Sequence, residues 1–139
     1  MPAPCAYDYA VIRVVPRVER EEFINVGVIL SCPAHDYLDA RLHVDRARLA
    51  AFAPALDVEL VQRYLDAIPL VCRGDHAGGP IGQLTQRQRF YWLVAPRSTV
   101  IQTSAVHSGL SVDPDSALEG LMHTMVLGDG TKATRQQRR

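Results

Sequence analysis

Residues 7–15 alternate in character: Ala10, Ile12 and Val14 fall on one side, and Tyr7, Tyr9, Val11 and Arg13 on the other. A period of two is that of a β-strand, and Pro16, which has no N–H to offer a ladder, ends it. After the polar connection VEREE, residues 23–30 predict a second strand with Ile24, Val26, Val28 and Leu30 on one face, stopped before Pro33. The two are expected to form an antiparallel hairpin. Residues 38–44 alternate most cleanly, with Leu38, Ala40, Leu42 and Val44 inward and Asp39, Arg41 and His43 outward, which predicts a third strand with a wet outer face.

The period then changes. Asp45 predicts the N-cap of a short helix ending near Phe52, because its carboxylate accepts from an orphan amide and Pro54 bars continuation. Asp57 caps a better helix, with Leu56 and Val61 as a hydrophobic staple and an apolar stripe of Leu60, Val61, Tyr64, Leu65 and Ile68; Pro69 closes it or its last turn. Residues 73–80, rich in Gly and closed by Pro80, predict a surface loop, and residues 83–94 are expected to be partly helical. Residues 98–106 predict a polar strand entered through Pro96. Val112, Asp113 and Pro114 stand in the favoured order for a helix start, and Leu118, Leu121, Met122 and Met125 recur at helical spacing before Gly128. The fold class that follows is α+β, in the order β-β-β-α-α-β-α. An antiparallel sheet of about four strands is expected, with the helices packed on one face. Residues 7–127 are expected to form a single domain, after an N-terminal extension of residues 1–6 and before a disordered basic tail of residues 128–139.

Composition adds bounds. With 47% hydrophobic and 22% charged residues in 139, the chain has the makings of one globular core. Basic and acidic residues number 15 each, and a net charge of zero argues against a general nucleic-acid binder, which needs surplus cations to displace counterions. Cys5, Cys32 and Cys72 stand far apart, so no disulfide framework or closely spaced metal-binding pair arises and a cytoplasmic location is expected. No apolar run approaches the ~20 residues that span a bilayer. Nucleotide-binding glycine loops, zinc-protease histidine pairs and the glycine-flanked serine of hydrolases are all missing, so no cofactor, metal or catalytic residue is assigned.

Two constellations remain. If the hairpin pairs Arg13 with Asn25, then Tyr9, Arg13, Asn25 and Gly27 share a polar patch able to receive a ligand. Alternatively Gly27 admits a closely packed neighbour and Asn25 satisfies backbone groups at a bulge. The second spans residues 89–109 and gathers Arg89, Trp92, Arg97, Ser98, Thr99, Gln102 and His107. Guanidinium and hydroxyl donors there would suit a phosphate or carboxylate, with His107 as acid or base. The alternative is a hydrogen-bonded strand whose arginines pair with Glu19, Glu21 or Glu22 over a core Trp92.

At these residues the chain resembles a family. The stretches YDYAVIRVVPRVEREEFINVGVIL and FYWLVAPRSTVIQTSAVHSGL are similar to a small bacterial family of unknown function, the domain of unknown function family 3037, over residues 7–127. Its motif positions fall here on Asn25, Gly27, Pro96, Arg97, Ser98, Thr99, Gln102 and His107. The resemblance implies no activity. It does imply a neighbourhood, because members are often encoded beside HipA-like kinases, relatives of toxin-antitoxin kinases. Two functions are therefore carried forward: a non-catalytic accessory domain that binds a partner, with a HipA-like kinase suggested, or a phosphoryl-ligand or nucleic-acid-processing domain using residues 97–107.

Overall fold

Strand β1 (Cys5–Val14) lies inside the sheet, which is why Ala10, Ile12 and Val14 can be fully buried. The structure, a computed structural model, describes residues 3–128. β1 pairs antiparallel with β2 (Ile24–Cys32) as expected, and β2 pairs antiparallel with β3 (Tyr37–Leu42). On its other edge β1 holds two short antiparallel strands end to end, β4 (Ile101–Thr103) and β5 (His107–Ser111). The class is α+β with an antiparallel sheet, and the sheet has five strands.

The single strand expected over residues 98–106 is thus replaced by two, and Ser104 explains the break. Its hydroxyl accepts from Val11 N–H at 2.9 Å and donates to Ala105 O at 2.9 Å, taking the place of a ladder partner between β4 and β5. The side chain thereby does locally what a strand backbone would do.

Within β2 the expected single aliphatic face is also corrected. Ile12 pairs with Gly27 but Arg13 pairs with Asn25, so Val26 is an extra residue, a β-bulge. Ile24 and Val26 consequently face one core, together with Ile12, Ile29 and Leu38, whereas Val28 and Leu30 face another with Cys32. A half-turn of alternation is lost at the bulge, and the strand is buried on both sides.

That demands helices on both faces, correcting the one-sided packing expected. The first face carries α1 (Arg46–Phe52), α2 (Val58–Arg73) and α3 (Gln86–Val94), through Leu49, Leu65 and Phe90. Each of these is fully buried and contributes roughly 1.5–3 kcal/mol by leaving water. The second face carries α4 (Pro114–Met122), through Leu118 and Met122, continued by a π-helical turn at His123–Leu127. The outer face of β3, expected to be wet, is half-covered and polar: Arg41 donates to Asp115 at 2.6 Å and to Glu119, and Tyr37 donates to Asp115 at 3.0 Å, with both acids of α4 exposed to water.

The helix starts stand where capping chemistry puts them. Asp45, Asp57 and Asp113 accept from Arg48, Leu60 and Asp115 N–H, and Thr85 forms a capping box with Gln88 at the start of α3. α2 does not close at Pro69 but runs on to Arg73 and ends at Gly74, whose φ of 74° is left-handed. Burial of Val71 and Cys72 holds that last turn, and in this apolar setting the Cys72 thiol is pushed up to about 12. The loop expected over residues 73–80 becomes tight 3-10 turns over His76–Gln83. The tail expected over residues 128–139 lies outside the described residues beyond Gly128.

α3 is anchored to the sheet by one polar knot. Arg87 donates to Asp8 at 2.5 Å and to Ser31 Oγ at 2.7 Å, while Ser108 donates to Asp8 at 2.6 Å. The hydrogen bond from Arg87, helped by that from Ser108, holds the Asp8 carboxyl below its ordinary value of 3.8. A carboxyl depressed on folding adds stability above its unfolded pKa, and the contribution is lost as pH falls through the folded pKa. Asp8→Asn is therefore expected to lower the melting temperature at neutral pH. The gap from wild type should close on acidification below about pH 4; a gap constant with pH would refute the linkage.

Candidate functional site

The segment joining α3 to β4 begins at Ala95, extended at φ −61° and ψ 139° because Pro96 follows and excludes helical geometry before it. The helix stops abruptly there, leaving its last carbonyls without intrahelical donors. Arg97 reaches back to supply them: it donates to Trp92 O at 2.7 Å, Leu93 O at 3.1 Å and Ala95 O at 3.3 Å. The same guanidinium lies over the Trp92 ring, 4.7 Å from its centroid. Tryptophan and arginine are thus fixed as one stacked unit at the surface, cationic and flat.

This unit forms one wall of a groove of about 550 Å³. Tyr64, Ala67, Ile68 and Val71 of α2 form the facing wall, and residues 99–103 of the loop and β4 form the floor. Among the described residues Arg97 is the only charged one lining it. A second cavity of about 540 Å³ continues past the shared residues Tyr64 and Val100 to Phe52, Pro54 and Leu56. Polar floor groups are partly occupied: Thr99 donates to Ile101 O at 2.8 Å, Gln102 donates to Thr99 O at 2.9 Å, and Thr103 donates to Val94 O at 3.4 Å.

Of the residues expected from sequence, Trp92, Arg97, Thr99 and Gln102 therefore come together, with Ser98 exposed beside them outside the lining. Arg89 does not join them. It is buried and donates to Val71 O at 2.9 Å, Cys72 O at 2.6 Å and Leu84 O at 3.1 Å, closing the end of α2. His107 is on β5, exposed, its ring 5.6 Å from that of Tyr9. The acids proposed as arginine partners pair locally instead, Glu19 with Arg17 and Glu22 with Arg20. Trp92, which the alternative reading put in the core, is half-exposed.

The first constellation is divided by the bulge. Arg13 and Asn25 are cross-strand partners on the α4 face, where Asn25 donates to Met125 O at 3.0 Å and Arg13 lies 4.0 Å over the Phe23 ring. Gly27 faces the other way, against Ile12 and Leu42, and its role is close packing. Sequence reasoning missed Tyr64 as a groove wall by reading it into the buried stripe. The available signal was that its phenol stands on the outer side of Val61 and Leu65, toward the charged face of α2.

Residues 9–126 match the model of the family described as Protein of unknown function (DUF3037). The chain belongs to this family. No curated protein and no solved structure matches it. The match places both walls of the groove and the whole of the sheet but for the start of β1 inside the DUF3037 region. Among the described residues of this DUF3037 member, no helix is long and apolar enough to cross a membrane, and no group of three or more His, Cys, Asp or Glu is placed to hold a metal ion.

Proposed function

We propose that this chain is a non-catalytic partner-binding domain of the bacterial cytoplasm, and that the groove between α2, Trp92 and β4 receives an apolar segment of a HipA-like serine/threonine kinase of toxin-antitoxin type. One observation carries the reading: the groove is walled by Tyr64, Ile68, Trp92 and Leu93, and among the described residues its single charge, on Arg97, has no acid beside it in the lining. Half-exposed aromatic residues around an apolar depression are the anchors that dominate protein recognition. The guanidinium, held by main-chain carbonyls rather than by an acid, favours a segment that carries a carboxylate next to its apolar side chains. Recognition runs through side chains, because Thr99 already occupies Ile101 O on the open edge of β4. The choice of kinase rests on the genomic neighbourhood that the family resemblance implies. The competing phosphoryl reading draws less support, since Arg89 and His107 stand away from the groove.

The test uses the purified kinase encoded nearby and titration calorimetry. Wild type is expected to bind it, while Tyr64→Ala and Trp92→Ala each weaken binding about tenfold or more with the melting temperature unchanged. Absence of binding by the wild type would defeat the proposal, as would full affinity in both variants.

A further inference from the structure

Three strand edges of this sheet have no neighbour among the described residues, and two are blunted. On β3 the outward N–H of Ala40 is taken by the Asp39 carboxylate at 2.8 Å, and Asp39 and Arg41 put charge along the strand. On β4, three residues long, Ile101 O accepts from Thr99. These are the devices by which sheets avoid pairing edge to edge.

β5 has none of them. Its sequence, HSGLS, contains no lysine, arginine, acid or proline. Val15 N–H donates to Val100 O and Ser104 N–H donates to Val11 O, so the odd-numbered residues of β1 bond toward this edge. By strand alternation Cys5, Tyr7 and Tyr9 then bond to their partners Ser111, Gly109 and His107. The N–H and C=O groups of Ser108 and Leu110 are left pointing outward, and no side chain hydrogen-bonds to them among the described residues.

The side chains on this edge have a symmetry of their own. Val106, Leu110 and Val112 share the parity of Ser108 and are exposed at 43%, 71% and 46%. Laid antiparallel against itself about Gly109, the segment sets Leu110 opposite Ser108 of the second copy and Val106 opposite Val112. The outward N–H and C=O groups then meet as hydrogen-bonded pairs, the exposed apolar residues of both copies close on one another, and no like charges oppose. We propose that β5 pairs antiparallel with β5 of a second copy of this chain, about a two-fold axis at Gly109, joining two five-stranded sheets into one. Isologous closure of this kind stops at two chains and leaves no β5 edge open. The groove lies apart, lined by other residues, and both chains of the dimer keep it.

Light scattering on the full chain is expected to give a mass twice the 15.4 kDa of one copy. Leu110→Lys, a change at a solvent-facing side chain, is expected to return the mass to that of a single chain, with the far-ultraviolet circular dichroism unchanged. The register is tested separately. In a Cys5→Ser background, Val106→Cys with Val112→Cys is expected to oxidise to a covalent dimer. Directly opposed residues of a hydrogen-bonded pair stand about 5.5 Å apart between Cα atoms, within disulfide reach. Either cysteine alone faces a valine and is expected to remain monomeric on a non-reducing gel. A wild type that stays monomeric at its highest soluble concentration overturns the proposal. So does a Leu110→Lys variant that remains dimeric, or single-cysteine chains that cross-link as well as the pair. The groove variants Tyr64→Ala and Trp92→Ala are expected to leave the mass unchanged, which keeps this outcome separate from that of kinase binding.

Discussion

Gly27→Val is expected to abolish the folded state, and Gly27→Ala to weaken it by about 3 kcal/mol, near the upper end for overpacking a core. A Cβ at this position would lie 2.5 Å from Arg41 O, 2.8 Å from Leu42 Cδ2 and 3.1 Å from Ile12 Cδ1. The two methyl contacts can yield by rotamer changes, but Arg41 O is backbone of β3. Relief there requires separating β2 from β3 just where the Val26 bulge already distorts the ladder. For a chain of this size a loss of about 3 kcal/mol lowers the melting temperature by roughly 10 °C. Thermal and urea unfolding of the alanine variant measure it, and a melting temperature equal to wild type would show that the approach is not close. Gly27 is thus explained by packing rather than by a ligand.

Arg89→Ala carries the second large effect. Its guanidinium is buried with no acidic partner among the described residues, and three main-chain carbonyls hold it, two of them at the last turn of α2. A helix C-terminus presents partial negative charge, so the cation is compensated by the oriented carbonyls themselves. Removing the side chain leaves those buried acceptors unmade and opens a cavity under Gly74; a loss of about 3 kcal/mol or more follows. Arg89→Met, which keeps the stem without the donors, is expected to lose most of the same amount. Equilibrium urea denaturation reads both, and midpoints matching wild type would return Arg89 to the pool of free binding residues.

The contrast between Arg89 and Arg97 shows how far local sequence reaches. Both sit in one segment, and both serve helix ends, but Arg97 caps its own helix while Arg89 caps another. The spacing from Trp92 through Pro96 to Arg97 holds the first role within a few residues. The second depends on α2 lying alongside α3, which no local spacing encodes. Asp8 behaves likewise: it reads as one polar position in an alternating strand, yet its value lies in meeting Arg87 and Ser108, 79 and 100 positions away along the chain.

Short-range chemistry settles much in advance. Period-two alternation marks β1 and β3, and Asp45, Asp57 and Asp113 mark helix starts, because strand pleat and capping involve neighbours within four residues. The α+β class and the hairpin follow from those signals. The bulge at Val26 does not, since an extra residue leaves the sequence pattern intact and is imposed by what β1 and β3 accept on either side. From that one displacement come the division of β2 between two cores, the need for α4 on the second face, and the separation of Gly27 from Asn25. The groove and the open β5 edge belong to the same level: their residues come from separate elements or from a strand created by the Ser104 break, and only packing brings them to one surface. Alternation and capping are nearest-neighbour effects, written residue by residue; which faces become buried is a property of the whole chain closing on itself.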